Sequence, residues 1–296
     1  EPSKSVTALN KLIDIDKVVA IVGPQWDEPA LAILPITEKE MIPIISPDVT
    51  SALESKQNFG YFFSAWYDNK VGVEELVKFA DKQNWRNIAI VRPIGGGFWQ
   101  YTRNLFTEAA PKYGINIVED IDVGDPLNID FRTFLVKIKQ SNPDAIFMVL
   151  ADGNECPFMK QKNELGINAP VLSTESAGNQ PSLENCSNIL KDVYFSTPRP
   201  TSQYEGFVQD FKNEFGRVPL YPTALNAYDA VNIIASALKQ SNLKGGETLR
   251  DKIANIKYKG IALDTISFNE KGFIETPDDA FEIRTVRNGS FTNDFR

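Results

Sequence analysis

Short continuous apolar runs alternate with longer amphipathic stretches along the chain. Val18–Val22 (VVAIV), Ile42–Ile45 (IPII), Ile88–Val91 (IAIV) and Ala145–Leu150 (AIFMVL) are rich in Val and Ile and show no polar alternation. Such runs suit strands buried on both faces, as in a parallel sheet. The stretches between them have helical period. Val6, Leu9, Leu12 and Ile13 share one face, as do Phe131, Phe134, Leu135 and Ile138. Tyr204, Phe207, Val208, Phe211 and Phe215 make a stripe that Gly216 stops, and Tyr228, Val231, Ala235 and Leu238 make another. This alternation predicts βαβ units and an α/β fold with helices on both faces of the sheet.

Turn chemistry marks the boundaries. Asp122–Asn128 (DVGDPLN) reads as a polar loop between a strand and a helix, and the two prolines of Thr197–Thr201 (TPRPT) as a stiff crossing. Beyond Leu263 the pattern becomes a strand at Ile266–Phe268, a turn at Gly272 and a final antiparallel strand at Ala280–Val286. The 296 residues correspond to about two domains.

Composition removes several classes of function. There is no histidine, which excludes Ser-His-Asp and Cys-His mechanisms and any His-containing zinc site. The net charge of −8 and the lack of a Lys/Arg cluster argue against a nucleic-acid partner. No apolar run reaches the length of a membrane span. The two cysteines, Cys156 and Cys186, are either one disulfide, which needs an oxidising compartment, or two separate buried thiols.

Two features carry candidate chemistry. Ile88–Val91 runs into Gly95–Gly96–Gly97–Phe98–Trp99 and a helix, but this is not the G-x-G-x-x-G spacing of a dinucleotide site. The glycines read instead as a tight turn, or a loop whose backbone comes close to something. Asp27, Glu28, Asp48, Asp68, Asp152 and Glu175 each lie at or just past the C-terminal end of a predicted strand, the edge where open α/β sheets hold ligands. Carboxylates there suit a cation, a metal or an ammonium group; singly, each also reads as a loop acid or a helix N-cap. Trp26, Trp66, Phe98 and Trp99 fall beside them, and aromatic rings suit an organic cation.

The order of nine motifs carries a family resemblance. They are Lys17–Pro24 (KVVAIVGP), Ile42–Thr50 (IPIISPDVT), Tyr61–Asp68 (YFFSAWYD), Asn87–Val91, Asn142–Leu150 (NPDAIFMVL), Lys160–Gly166 (KQKNELG), Val193–Pro198 (VYFSTP), Tyr228–Val231 (YDAV) and Ile266–Gly272 (ISFNEKG). In this order the chain resembles the type I periplasmic solute-binding proteins of ABC transporters, in the branched-chain amino-acid (leucine/isoleucine/valine) receptor branch. The resemblance implies two Rossmann-like lobes joined by a three-crossing hinge, with a ligand cleft between the lobes. It assigns residues 1–69 and 199–263 to the first lobe, and 70–198 and 264–296 to the second. The family's first strand, helix and second strand have no counterpart ahead of Glu1–Asp16. The resemblance therefore implies a preceding segment with those elements and an export signal or lipid anchor, and a first-lobe sheet without its central strand in this chain.

Ligand residues carry over by position. The S-P-x-x-T turn that holds an amino-acid carboxylate matches Ser46, Asp48, Val49 and Thr50; the serine of the preceding turn is replaced by Trp26, Asp27 and Glu28. Glu175 matches the acid that takes the ligand ammonium, while Gly97, with Phe98 beside it, and Ala151 or Asp152 stand where the family has tyrosines. Trp66 and Asp68 complete the expected set. The acid excess favours an amine-bearing or otherwise cationic ligand, with an ordinary amino acid as the alternative if the acids point away. The resemblance implies a monomeric, periplasmic or lipid-anchored solute receptor without a cofactor or catalytic residues, partnered by a small molecule and an ABC permease. A ligand-sensing receptor or regulatory domain on the same fold is the alternative; an enzyme is disfavoured by the missing histidine, P-loop and nucleophile elbow.

Overall fold

The structure is a computed structural model that describes residues 1–50, 53, 59–95, 97–125, 130–151, 153–220 and 222–293. The chain divides into two compact units. Unit 1 is Glu1–Asp68 with Pro200–Pro277, and unit 2 is Asn69–Arg199 with Asp278–Arg296.

Unit 2 is built on seven strands. These are β4 (Asn87–Arg92), β5 (Asn116–Asp122), β6 (Ala145–Met148), β7 (Val171–Ser173), β8 (Val193–Pro198), β9 (Phe281–Arg287) and β10 (Ser290–Thr292). Their order across the sheet is β10-β9-β8-β7-β6-β4-β5. The five strands from β8 to β5 run parallel, while β9 pairs antiparallel with both β8 and β10. The central strands are apolar at every position because alternate residues enter different cores. Ala89, Val91, Ile146 and Met148 face one core with Phe131, Leu135 and Phe158; Ile88, Ile90, Ala145 and Phe147 face the other with Val77, Phe79 and Phe106. Helices cover both faces: α3 (Asn69–Lys82) and α4 (Gly97–Ala109) contribute to the second core, α5 (Arg132–Ser141) and α6 (Glu155–Glu164) to the first. A short helix, α7 (Gln180–Cys186), follows β7 after a 3-10 turn at Glu175–Gly178.

Unit 1 has three described strands, all parallel: β1 (Ile21–Val22), β2 (Ile44–Ser46) and β3 (Phe62–Ser64), in that order. Its helices are α1 (Pro2–Asp14), α2 (Asp27–Lys39), α8 (Tyr204–Phe215), α9 (Thr223–Gln240) and α10 (Gly246–Ala254). Leu9 of α1 and Ala30, Ile33 and Leu34 of α2 pack on Ile44 and Phe62, and α9 packs on β1 and β2. The stripe read on α8 ends at Gly216, which takes the left-handed conformation at the helix C-terminus (φ 67°).

Three sequence readings need correction. The run Val18–Val22 gives only a two-residue strand at the sheet edge, with Val19 and Val22 exposed, because doubly buried strands need a neighbour on each side. On α9 the buried face is Leu225, Asn226, Asp229, Ala230, Ile233, Ile234 and Ala237; Tyr228, Val231 and Ala235 of the predicted stripe are exposed. Two polar residues in the buried face obscure its period. Finally, residues 264–277 belong to unit 1. Ser64 bridges Phe273, Ser64 N–H donates to the Gly272 carbonyl at 2.8 Å, and the Phe63 and Phe268 rings lie 5.1 Å apart.

Asp229 organises one end of unit 1. Its carboxylate accepts the Ile261 N–H (2.9 Å) and the Ala262 N–H (2.8 Å). The same loop accepts hydrogen bonds from Tyr67 Oη to Ala262 O, from Thr201 Oγ1 to Ile261 O and from Gln203 Nε2 to Gly260 O. A Cβ on Gly260 would stand 2.5 Å from Asp229 Oδ2, so glycine is required there. Burial pushes the Asp229 carboxyl up to about 6, against the lowering effect of its two backbone donors.

Candidate functional site

Topology points to one edge of unit 2. The order β6-β4-β5 means that the chain leaves β4 in one direction and returns past it to β6. The crevice outside the carboxyl ends at such a reversal is the usual ligand position in open α/β sheets. Two strand ends lie there: β4, followed by α4, which Gly97 and Phe98 open, and β6, followed by Ala151 ahead of α6. Phe98 is half-buried against the core beneath α4. Asp152 lies outside the described residues.

Glu175 stands at the next strand end, two residues past β7, half-buried at the start of the 3-10 turn. That turn packs closely against Phe195. A Cβ on Gly178 would meet the Phe195 ring at 2.4 Å. Asn179 caps α7 by accepting the Ser182 N–H at 2.7 Å, and its amide donates to Ser176 O at 2.5 Å. Cys156 and Cys186 are joined by a disulfide, with their Cα atoms 5.8 Å apart.

The corresponding edge of unit 1 is zipped by its own side chains. Gly23–Pro24 is cis, and Trp26, at the start of α2, takes a positive φ of 73° and is 62% exposed. Trp26 N–H donates to Asp48 O (3.0 Å), and Gln25 Nε2 donates to Asp48 Oδ2 (2.9 Å). Ser46 Oγ donates to Pro24 O and accepts the Asp48 N–H. Asp27 accepts both the Thr50 N–H (2.9 Å) and the Thr50 Oγ1 hydroxyl (2.7 Å). Ser64 Oγ donates to Val49 O.

These contacts alter the expected roles. Asp27, Ser46 and Thr50 are buried, and their side chains tie the two loops together. Val49 is wholly buried in the core. These side chains are packed within unit 1. Glu28 and Trp26 are exposed, and Asp48 is half-buried. Trp66 and Asp68 go elsewhere in unit 1: with Asn269, Phe273, Ile274, Glu275 and Thr276 they line a small recess. Asp68 N–H donates to Thr276 Oγ1 at 2.8 Å. Among the described residues no three acidic or cysteine side chains gather as a metal site.

Sequence reasoning missed two polar groups. Arg92, the last residue of β4, is buried and pairs with Asp122 at 2.6 Å, while Arg103 of α4 grips Asp120. The apolar β4 run ending in Arg92–Pro93 was the available signal. Glu155, 1% exposed, accepts the Gly153 N–H (2.9 Å) and the Ser182 hydroxyl (3.2 Å). Nothing in its local pattern distinguishes it from an exposed first-turn acid.

Known proteins share this fold. The curated relatives include the glutamate receptor 2.3 of Arabidopsis thaliana, 26% identical over 256 residues; these cover 80% of this chain and 27% of that one. The chain spans about a quarter to a third of the length of the first relatives it matches. A solved leucine binding protein from Thermotoga maritima superposes with a TM-score of 0.85 at 21% identity, over 99% of this chain and 83% of that one. A solute-binding protein of an ABC transporter from Rhodopseudomonas palustris, solved with 3,4-dihydroxybenzoic acid, gives 0.84 at 24% identity, over 98% and 81%. These structures share the type I periplasmic binding fold with this chain. The profile of the periplasmic binding protein family matches residues 1–289, and the chain belongs to that family.

Proposed function

We propose that this protein is an extracytoplasmic solute receptor, in the branched-chain amino-acid receptor branch, that captures a small amino-acid-like or amine-bearing ligand and delivers it to an ABC permease. The observation that carries the reading is Glu175, a half-buried carboxylate at the C-terminal end of a parallel strand, beside the topological switch point. A carboxylate partly removed from water favours a cationic partner, and a charge-assisted hydrogen bond to an ammonium is stronger than a neutral one. Phe98 and Ala151 shape the same edge, and Trp26, Glu28 and Asp48 are the candidates in unit 1. Capture by hinge closure is the mechanism the family resemblance implies. A ligand drives closure only by its differential affinity for the two states.

A thermal-shift screen over L-amino acids, polyamines, betaines and aromatic acids tests the reading. An amine-bearing compound at 100 times its Kd is expected to stabilise the protein by about 2.7 kcal/mol. Glu175→Gln should weaken that compound roughly 30-fold or more, because a buried hydrogen-bonded charge pair is lost. Binding confined to aromatic acids without an ammonium group would overturn the amine assignment.

A second reading, a ligand-sensing receptor domain on the same fold, is favoured by the similarity to the glutamate receptor, a much longer protein. Deleting the gene separates the two: loss of uptake of the bound compound supports transport, and unchanged uptake supports sensing.

A further inference from the structure

Two loops of unit 2 reach the ligand edge separately and are joined behind it. One is the connection from β6 to α6, described at residues 149–151 and 153–154. The other is the arm from β7 to α7, which carries Glu175. Two adjacent residues at the start of α6 hold the arm. Cys156 is bonded to Cys186 at the end of α7. Glu155 accepts the Ser182 hydroxyl of α7 with the same oxygen, Oε2, that accepts the Gly153 N–H of its own loop.

From Ser182 the connection runs directly to the residue next to Glu175. Ser182 N–H donates to Asn179 Oδ1, Asn179 Nδ2 donates to Ser176 O, and the Thr174 and Ser176 hydroxyls share a 3.2 Å hydrogen bond. Glu155 and Ser182 are 1% and 2% exposed, so water competes little for their bond. Cys186 and Ala177 lie in the same core cluster, with Cys156 packed against it. The disulfide closes a segment of sequence separation 30 that contains Glu175.

We propose that Glu155 and the Cys156–Cys186 disulfide are positioning residues that preset Glu175, so that ligand affinity in this protein depends on thiol redox state. The inference rests on Glu175 as the ligand's ammonium acceptor. Preorganised groups bind more tightly because less ordering remains to be done on association. A dithiol such as dithiothreitol reverses the device. It transfers two electrons and two protons to the S–S bond, leaves two thiols and closes its own disulfide. The arm then keeps the Glu155–Ser182 bond and the packing of Ala177 and Cys186, but loses its covalent tie to α6.

The test uses the full chain. Amide hydrogen exchange compares the oxidised protein with the protein in dithiothreitol. The expected result is at least a tenfold loss of protection over Ser176–Leu183, with β6 and β7 unchanged. Unchanged exchange in the arm overturns the brace whether or not a ligand is known.

Affinity is then measured for the tightest binder among the twenty L-amino acids, putrescine, spermidine and glycine betaine. Reduction, Cys156→Ser with Cys186→Ser, and Glu155→Gln should each weaken binding about tenfold. In a Glu175→Gln background the same changes should cost less than twofold, since their effect passes through Glu175. Equal losses in both backgrounds would show general destabilisation and sink the proposal. Should the double serine variant fail to fold, reduction and Glu155→Gln carry the comparison. If the oxidised protein binds none of the panel, the amine reading fails, while the exchange measurement still decides the brace.

Discussion

Unit 2 and unit 1 use the same kind of parallel strand to opposite effect. In unit 2 the strand Ile88–Val91 has a parallel neighbour on each side and a core on each face, and none of its residues is exposed. In unit 1 the run Val18–Val22 is at least as β-like, yet it pairs over two residues and has β2 as its single described neighbour. Among the described residues, twelve of the fourteen exposed large apolar side chains belong to unit 1. The difference shows that an apolar run is a demand for cover, and that the tertiary surroundings decide whether the demand is met. Unit 1 compensates with polar staples: Asp27–Thr50, Ser46–Pro24 and Asp229 with the Ile261–Ala262 amides.

The comparison can be broken most severely at Gly272. Its φ is +81°, and a Cβ there would stand 2.2 Å from the Phe62 carbonyl oxygen. Gly272→Ala is expected to destabilise unit 1 by more than about 4 kcal/mol. Gly114→Ala in unit 2 has a similar φ, +67°, and open space around it, and should cost only about 1–2 kcal/mol. Urea unfolding of the two variants reads the contrast.

The disulfide concerns unit 2 alone. Replacing both cysteines by serine frees a loop of about 30 residues and should cost about 3–4 kcal/mol on the chain-entropy estimate. Calorimetry should place the loss in the unfolding of unit 2.

Asp229 gives unit 1 a pH dependence in the mildly acidic range. Its carboxyl holds its proton more tightly when folded, at about 6 against 3.8, so ionising it costs folding free energy. The cost is absent below about pH 4, grows as the pH rises to about 6 and then levels at about 3 kcal/mol. Stability of the wild type relative to Asp229→Asn should therefore fall as the pH is raised from 4 to 7. A flat difference would mean that the backbone donors cancel the effect of burial.

The smallest effect is expected at the open edge. Val22→Ala should change stability by less than about 0.5 kcal/mol. Ile90→Ala, in the doubly covered strand, should cost about 2–5 kcal/mol.

Much of the fold was legible because it depends on local pattern. The Ile88–Val91 and Ala145–Leu150 runs, the α8 stripe and its Gly216 stop all follow from side-chain period and backbone freedom. The third change of unit was not legible at 263. The strand-turn-strand pattern from Ile266 onward says that partners exist without saying which, and Ser64 and Phe63 proved to be the partners. The candidate site was legible as positions: strand ends carrying acids. It was not legible as roles. Asp27 and Glu28 are neighbours with the same charge, but one is buried against Thr50 and the other is exposed, because α2 turns successive residues about 100° apart.

The sequence by itself determined that this is an α/β chain with parallel strands, helices at defined stops, no histidine chemistry and acids gathered at strand ends. These follow from composition and from the 2.0 and 3.6 periods, which every residue feels through its nearest neighbours in the chain. Only the tertiary structure decided which acids serve the fold and which stand at the edge, where the chain passes between units, and that Glu155 and Cys156 reach across to α7. Those outcomes depend on contacts between residues up to about 200 positions apart, such as Tyr67 with Ala262, and no local window of sequence carries the geometry that brings them together.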